Sequence, residues 1–324
     1  MQPLVIGGGR VGTAISRMYT PPAPILRRGD RVPELPSPGA PPAPIWVCTT
    51  NDGLDAALAA TPRARRRDLV FCQNGMLLPW LARNGLAGNT QVLLYMAAGA
   101  DGRVTDGGLS LAHGGPWAAH VAAALAGGGV RCRAEPRWRA FQDAMGKKLL
   151  WACIFWAVCA ALGETVGEVA ARRAPEVQAL VAELLPLVDD YVDGVSRAAG
   201  DAEGEAGSGM GESGGAGGCG SGEQGPGQGT AAAAAPPLWA GAAAAGGGAR
   251  EDADRRRRRC EDVTAALIAY SLAIAAARPS REMALQEWRW RNGWLLGQAA
   301  TPLHVEWLRR AGCGEQLMAQ GPPE

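Results

Sequence analysis

Residues 3–15, PLVIGGGRVGTAI, limit what this chain can fold into more than any other stretch. Leu4–Ile6 is a short apolar run that reads as a buried strand, and glycines follow at positions 7, 9 and 12. Gly7 permits a tight turn, Gly9 lets backbone approach a ligand, and Gly12 lets the next helix pack close to the strand. The helix that opens there offers unbonded N–H groups and the positive end of its dipole, a setting that suits a pyrophosphate. Glycine spacing says little in a chain with 46 glycines. Here the motif follows a strand and opens a helix, which is the context it requires. Gly7, Gly9, Arg10, Val11 and Gly12 are therefore expected to bind a dinucleotide.

The rest of the first half keeps a strand–helix rhythm. Further strands are expected at Ile25–Arg27, Ile45–Thr49, Leu69–Cys72, Val92–Met96, Leu109–Ala112 and Val130–Cys132, with helices at Leu54–Ala60 and Trp117–Ala126. Such alternation predicts βαβ units and an N-terminal Rossmann-type parallel sheet. The loop at 29–44 carries six prolines and is expected to be irregular. The end of the second strand selects the cofactor. A carboxylate there would bind the ribose hydroxyls of NAD, but Arg27 and Arg28 occupy that place, and guanidinium groups suit the 2′-phosphate of NADP. Asp30 lies slightly beyond. Thr49 and Thr50 end the third strand and Asn74 follows the fourth, at the strand ends where such sheets hold ligands. Asn74-Gly75 is equally an ordinary turn.

From Trp138 the pattern becomes helical, with helices expected at Phe141–Leu162, Pro175–Ala198 (kinked or divided at Pro186), Cys260–Ala277, Ser280–Ala299 and Pro302–Ala311. The expected organisation is α/β: a Rossmann-type domain over residues 1–137 and an all-helical C-terminal domain for substrate and dimer contacts over 138–199 and 260–324. Residues 200–259, rich in Gly, Ala and Ser, read as a disordered insertion, too poor in large apolar groups to offset ordering entropy. The run Arg255–Arg259 at its end reads as a polyanion or import signal, or as the solvated edge of a linker.

Composition narrows the function classes. A formal net charge of +1 calls for neither nucleic acid nor a membrane surface as partner. Eight scattered cysteines without a CxxC pair, and three histidines, give no disulfide framework and no metal site. A reducing compartment, the cytoplasm, is expected, since the first strand begins at Pro3 and leaves no room for a leader. The apolar run Leu149–Leu162 falls short of a bilayer span and is expected to be a buried core helix. His113 reads as a satisfied turn residue, while His120 and His304 have no partner by spacing. Trp290 and Trp294, four apart, are expected on one helical face, packed in the second domain or at a dimer interface.

Taken in order, the glycine loop, the basic residues after the second strand, Gln73-Asn74-Gly75, SLAHGG at 110–115, GKKLLWACIFW at 146–156 and the later segment with Ser280 and Met283 resemble the ketopantoate reductase (2-dehydropantoate 2-reductase) family. The resemblance implies reduction of a 2-keto acid by NADPH in a cleft between a Rossmann domain and a helical domain. It implies that Asn74 contacts cofactor and substrate, and that Lys148 rather than Lys147 is the general acid. It implies that Ser280 holds the substrate carboxylate; Arg281 and Arg278 are alternatives, and Ser280 also reads as a helix cap.

The sequence departs from the family at several of these places. Two asparagines expected one and two turns after the lysine are Ala152 and Trp156, and the family's later carboxylate falls on Asn292. Glu287 takes that place only if the helix register shifts. Two readings follow: an NADP-dependent reductase of a small carbonyl compound, with a homodimer left open, or a non-catalytic NADP-binding protein that has lost its substrate site.

Overall fold

The computed structural model describes residues 2–35, 37, 39, 41–99, 103–208 and 248–319. The first part is a seven-stranded sheet in the order β2-β1-β3-β4-β5-β8-β9. In chain order its elements are β1 (Leu4–Ile6), α1 (Arg10–Arg17), β2 (Ile25–Leu26), β3 (Ile45–Val47), α2 (Leu54–Ala59), β4 (Leu69–Phe71), α3 (Leu78–Arg83) and β5 (Thr90–Leu93). A separate two-stranded hairpin, β6 (Met96–Ala98) with β7 (Val104–Asp106), then leads to β8 (Ser110–His113), α4 (Ala118–Gly127) and β9 (Cys132–Ala134). Strands β2, β1, β3, β4 and β5 pair in parallel, and β8 turns antiparallel to β5. Each expected strand is present within a few residues. The hairpin and α3 were not anticipated, because their apolar positions are too few to show a period.

Strand alternation builds two cores. Leu4, Ile6, Ile45, Val47, Leu69 and Phe71 face one side, against Leu54, Trp80 and Leu81. Val5, Trp46, Val70 and Val92 face the other, against Ile15, Val121 and Leu125. A parallel sheet covered on both faces needs apolar residues at every strand position, and β1, β3 and β4 are buried throughout. The chain leaves β1 for β2 on one side and then crosses to β3 on the other. The switch point, where ligands sit in such sheets, is therefore at the carboxyl ends of β1 and β3.

The second part is helical: α5 (Trp138–Leu162), α6 (Val166–Arg172), α7 (Ala174–Ser208), α8 (Gly248–Ala273), α9 (Arg281–Leu285), α10 (Asn292–Gln298), α11 (Pro302–Arg310) and α12 (Gly314–Ala319). Among the described residues α5 is the one helix long and apolar enough to cross a bilayer, and Leu150, Cys153, Ile154, Phe155 and Val158 on it are fully buried within the protein. It ends at Gly163, whose φ of 67° closes the last turn. A reciprocal Thr165–Glu168 capping box starts α6. Residues 1–190 and 259–324 form one compact unit and 191–258 another.

Several expectations require correction. Of the stretch 200–259 read as disordered, 209–247 lies outside the described residues, but α7 continues to Ser208 and α8 begins at Gly248. Helix-forming Ala, Glu and Arg support α8 there, with i,i+3 pairs Arg255–Asp252 and Arg257–Asp254 at 3.8 and 3.4 Å. Arg259 is no linker edge: its guanidinium binds Asp143 on α5 at 2.6 Å and Asp189 on α7 at 2.8 and 2.9 Å. Pro186 lies inside α7 without dividing it. The expected single helix at Ser280–Ala299 is broken into α9, a 3-10 turn at Trp288–Trp290, and α10. The breaks fall at Glu287, with φ 52°, and at Arg291, with φ −127° and ψ −107°. Trp290 and Trp294 thus do not share a helical face, and Trp290 joins the β1–β3–β4 core instead.

The break also places Asn292 and His304 together. Asn292 donates from Nδ2 to the Ala284 carbonyl at 3.2 Å, and its Oδ1 lies 3.0 Å from His304 Nε2. Burial pulls the His304 imidazole down to about 4 from an ordinary 6.5, so the folded state holds it neutral. A folded pKa below the unfolded one gives stability that is complete above pH 6.5 and is lost as pH falls toward 4. Acid titration of thermal stability should therefore show a loss of roughly 1.4 kcal/mol per pH unit through that window. His304→Gln should flatten it; an unchanged slope in that variant would assign the acid lability elsewhere.

Candidate functional site

The glycine loop closes β1 onto α1. Gly7 has φ 106° and its N–H donates to the Leu26 carbonyl at 2.9 Å. A Cβ at Gly12 would collide with the Gly7 carbonyl, so α1 can approach the strand only with glycine there. A Cβ at Gly9 would meet nothing within 4 Å. Gly9 caps α1 with no side-chain hydrogen bond, and no acidic residue lies in the first turn, which leaves its N–H groups and dipole end for an anion. Arg10 is exposed and Val11 half-buried beside the loop. Arg27 stands at the end of β2 with its guanidinium against the loop, since a Cβ at Gly8 would lie 3.1 Å from Arg27 Nη1. The Asp30 carboxylate accepts the Arg27 backbone N–H at 2.7 Å. Arg28 is exposed. Glycine backbone, helix start and guanidinium thus fit a dinucleotide.

The next two strand ends supply polar groups. Thr49 lies after β3 with its hydroxyl buried and unpartnered, and its carbonyl accepts from Gln73 Nε2 at 3.2 Å. Thr50 is exposed and opens the 3-10 turn at Asn51–Gly53. Asn51 is buried and donates from Nδ2 to the Asn74 carbonyl at 2.9 Å. That bond fixes the turn carrying Asn74. The same turn is pinned from the other side, where the Met76 N–H donates to the Trp290 carbonyl at 2.7 Å. Gly75, at φ 86°, is needed there because a Cβ would stand 2.5 Å from that carbonyl.

Lys148 comes from α5. Its Nζ donates to the Leu94 carbonyl at 2.6 Å and lies 4.9 Å from the centre of the Tyr95 ring. Burial, reinforced by the Arg291 charge, pulls the Lys148 ammonium down to about 8; Cys72 and Glu287 oppose the shift. Its neighbour Lys147 faces elsewhere and pairs with Asp143 at 2.7 Å. Glu287 and Arg291, at the two breaks after α9, form an ion pair in which Arg291 is buried and Glu287 half-buried. Burial raises the Glu287 carboxyl and lowers the Arg291 guanidinium, each opposing the charge that the other favours. Arg291 also lies over the Trp156 ring, 4.3 Å from its centre. Tyr95, Tyr270, Trp151 and Trp156 pack edge to face beside these charges, with centroids 4.9 to 6.2 Å apart.

Lys148, Asn74 and the glycine loop therefore lie along one edge of the sheet. Ser280 and Arg281 have other partners. Ser280 is exposed at the N-cap position of α9, where its hydroxyl bonds the Glu282 side chain and makes no capping hydrogen bond, while Arg281 donates to the Gly312 carbonyl at 2.7 Å and faces Glu315. Arg278 is exposed and binds the Gly163 carbonyl. His113 is satisfied by the Glu135 carbonyl at 2.7 Å, and His120 stacks on Tyr19. Among the described residues no group of His, Cys, Asp or Glu could hold a metal. Sequence reasoning missed Asn51, Tyr95 and Arg291. Only Arg291 had a local signal, the Asn292-Gly293 pair inside an otherwise helical pattern.

Gly9→Ala separates fold from ligand. With open space at its Cβ, the variant should melt with the parent, while affinity for NADPH, followed by nucleotide fluorescence, should fall at least about tenfold. Unchanged affinity would mean that the loop does not approach a pyrophosphate.

No family model and no curated protein matches the sequence. Solved structures do. A dimeric ketopantoate reductase from Staphylococcus aureus is 14% identical, with 99% of this chain and 100% of that chain covered at a TM-score of 0.54. D-mandelate dehydrogenase in complex with NADH is 10% identical, with 98% and 99% covered at a TM-score of 0.55. The ternary complex of D-mandelate dehydrogenase with NADH and anilino(oxo)acetate is 11% identical, with 98% and 100% covered at a TM-score of 0.54. The chain thus has the fold shared by ketopantoate reductase and D-mandelate dehydrogenase, a Rossmann-type domain followed by a helical one.

Proposed function

We propose that this chain is a divergent member of the ketopantoate reductase family, an oxidoreductase that reduces a small 2-oxo acid or related carbonyl compound with NADPH. The observation that carries this reading is Lys148: a half-buried side chain whose ammonium is held on the Leu94 carbonyl at 2.6 Å, beside the strand ends that follow the glycine loop, and drawn down to about 8 by desolvation. The corresponding 2-hydroxy acid, a carboxylate anion at neutral pH, would be the product. When bound, a nicotinamide nucleotide at the glycine loop would supply the hydride for the carbonyl carbon. Lys148 donates a hydrogen bond to the carbonyl oxygen, stabilises the charge that develops there, and delivers its proton to complete the alcohol. Its bond to the Leu94 carbonyl fixes the ammonium and leaves two N–H groups for substrate. Solvent then restores the proton. Asn74, held by Asn51 and by the Trp290 contact, offers its side-chain amide to cofactor and substrate. The preference for NADPH over NADH rests on Arg27 and Arg28 at the end of β2, with Arg27 against the loop.

The free thiols among the described cysteines fit a reducing compartment, the cytoplasm. A homodimer is the expected state, as the S. aureus enzyme is dimeric; nucleic acid and membrane are not expected partners. The competing reading, a cofactor-binding protein without turnover, draws on Ala152 and Trp156 standing where the family pattern has asparagines.

NADPH oxidation with a panel of 2-oxo acids decides between the two. The reductase reading predicts that kcat/KM for reduction is flat at neutral pH and falls as pH rises through about 8, because the protonated lysine is the acid. Lys148→Met should lower turnover by at least about a hundredfold with NADPH binding retained. NADPH binding without turnover of any 2-oxo acid would establish the second reading. Replacing both Arg27 and Arg28 by alanine should cut the preference for NADPH over NADH by roughly tenfold or more; a preference that survives would return the choice of cofactor to other residues.

A further inference from the structure

Lys148, Ala152 and Trp156 recur every four residues on α5 and so share one face of it. Trp156 is stacked by the Arg291 guanidinium at 4.3 Å. Ala152, buried and small, separates the lysine from that stack. Arg291 itself is 95% buried, yet only part of its fork is used. Glu287 takes one nitrogen, Nη2, while Nε and Nη1 have no hydrogen-bond partner. A buried guanidinium with two unmet donors is costly unless acceptors complete it; Nε and Nη1 point to different sides of the guanidinium, so a carboxylate oxygen would be taken by a single charge-assisted bond from one of them. With Lys148 and Arg291 against Glu287, the enclosed charges sum to one positive, which suits a monoanion.

We propose that Arg291, braced by Trp156 and held in place by Glu287, binds the carboxylate of a 2-oxo acid whose carbonyl oxygen faces Lys148. This rests on the reductase reading for the reaction, though not for the binding. In this chain Arg291 takes the part that Ser280 and Arg281 do not serve, and it does the work that asparagines at 152 and 156 could have shared. Glu287 is a positioning residue: it touches Arg291, not the substrate. The aromatic side chains of Tyr95, Trp151 and Tyr270 next to the charges make an aromatic 2-oxo acid the fitting probe.

Calorimetry on the full chain saturated with NADP+ can compare phenylglyoxylate with its primary amide. The amide keeps the size and the ketone but lacks the negative charge that Arg291 would read. Wild type should bind the acid more tightly than the amide. Arg291→Lys should weaken the acid at least about tenfold and leave the amide nearly unchanged, since a point charge cannot reproduce the stacked fork. The double variant R291Q/E287Q, which removes both members of the ion pair together, should reduce the discrimination to what Lys148 alone supplies. Equal loss for acid and amide, no loss for either, or failure of wild type to bind the acid would overturn the assignment. Hydride transfer is read separately from NADPH absorbance. Discrimination by Arg291 without NADPH consumption would leave the carboxylate site standing and remove the reductase reading alone.

Discussion

The contact between the Asn74 turn and Trp290 is the one on which the site depends. The Met76 N–H donates to the Trp290 carbonyl, and Gly75 presses against the same backbone. The Trp290 ring is buried with Ile6, Val47 and Phe71 under the sheet. A residue from the helical part is thus built into the core of the parallel sheet. Everything next to it in sequence is positioned by that anchor: Glu287 three residues before, Arg291 one residue after. An intact helix from 280 to 299 could not do this, because it could not deliver Trp290 to the sheet and Arg291 to Trp156 together. Positive φ at Glu287 is the conformational cost of the arrangement.

Burial then sets the chemistry. Three charged groups, Lys148, Glu287 and Arg291, are withdrawn from water within reach of one another's fields. Desolvation is the largest influence on each and disfavours its charged form. For lysine this brings proton affinity into the range where an acid is useful at neutral pH. For arginine, which stays charged, it converts unused donors into a strong demand for an acceptor. The same low-dielectric setting that tunes one residue gives the other its selectivity.

Much of the first half was legible because its signals are local. A buried parallel strand needs a continuous apolar run, and a tight strand-to-helix turn needs glycine at fixed places, so β1, the loop, α1 and the succession of strands along the chain could be read directly. Lys148 and Asn74 could be placed only through family resemblance, since neither spacing nor composition brings α5 to the end of β4. The segment at 280–299 misled for a physical reason. Its Ala, Leu, Gln and Arg favour helix, and the tertiary gain from burying Trp290 in the sheet overrode that propensity. Asn51 and Tyr95 were hidden similarly: each acts through a partner more than twenty residues away. The stretch 200–259 was judged on glycine content, which masked helix-forming residues at both ends, Arg259 among them, whose ion pairs with Asp143 and Asp189 exist only in the fold.

The account stands on Lys148 being a buried acid rather than a solvated surface charge. Carbon-13 labelling at its Cε position, followed by NMR through a pH titration of the folded chain, reads this directly. An inflection near 8 is the predicted result. An inflection near 10.5, the ordinary lysine value, would place the ammonium in solvent and contradict the site as described.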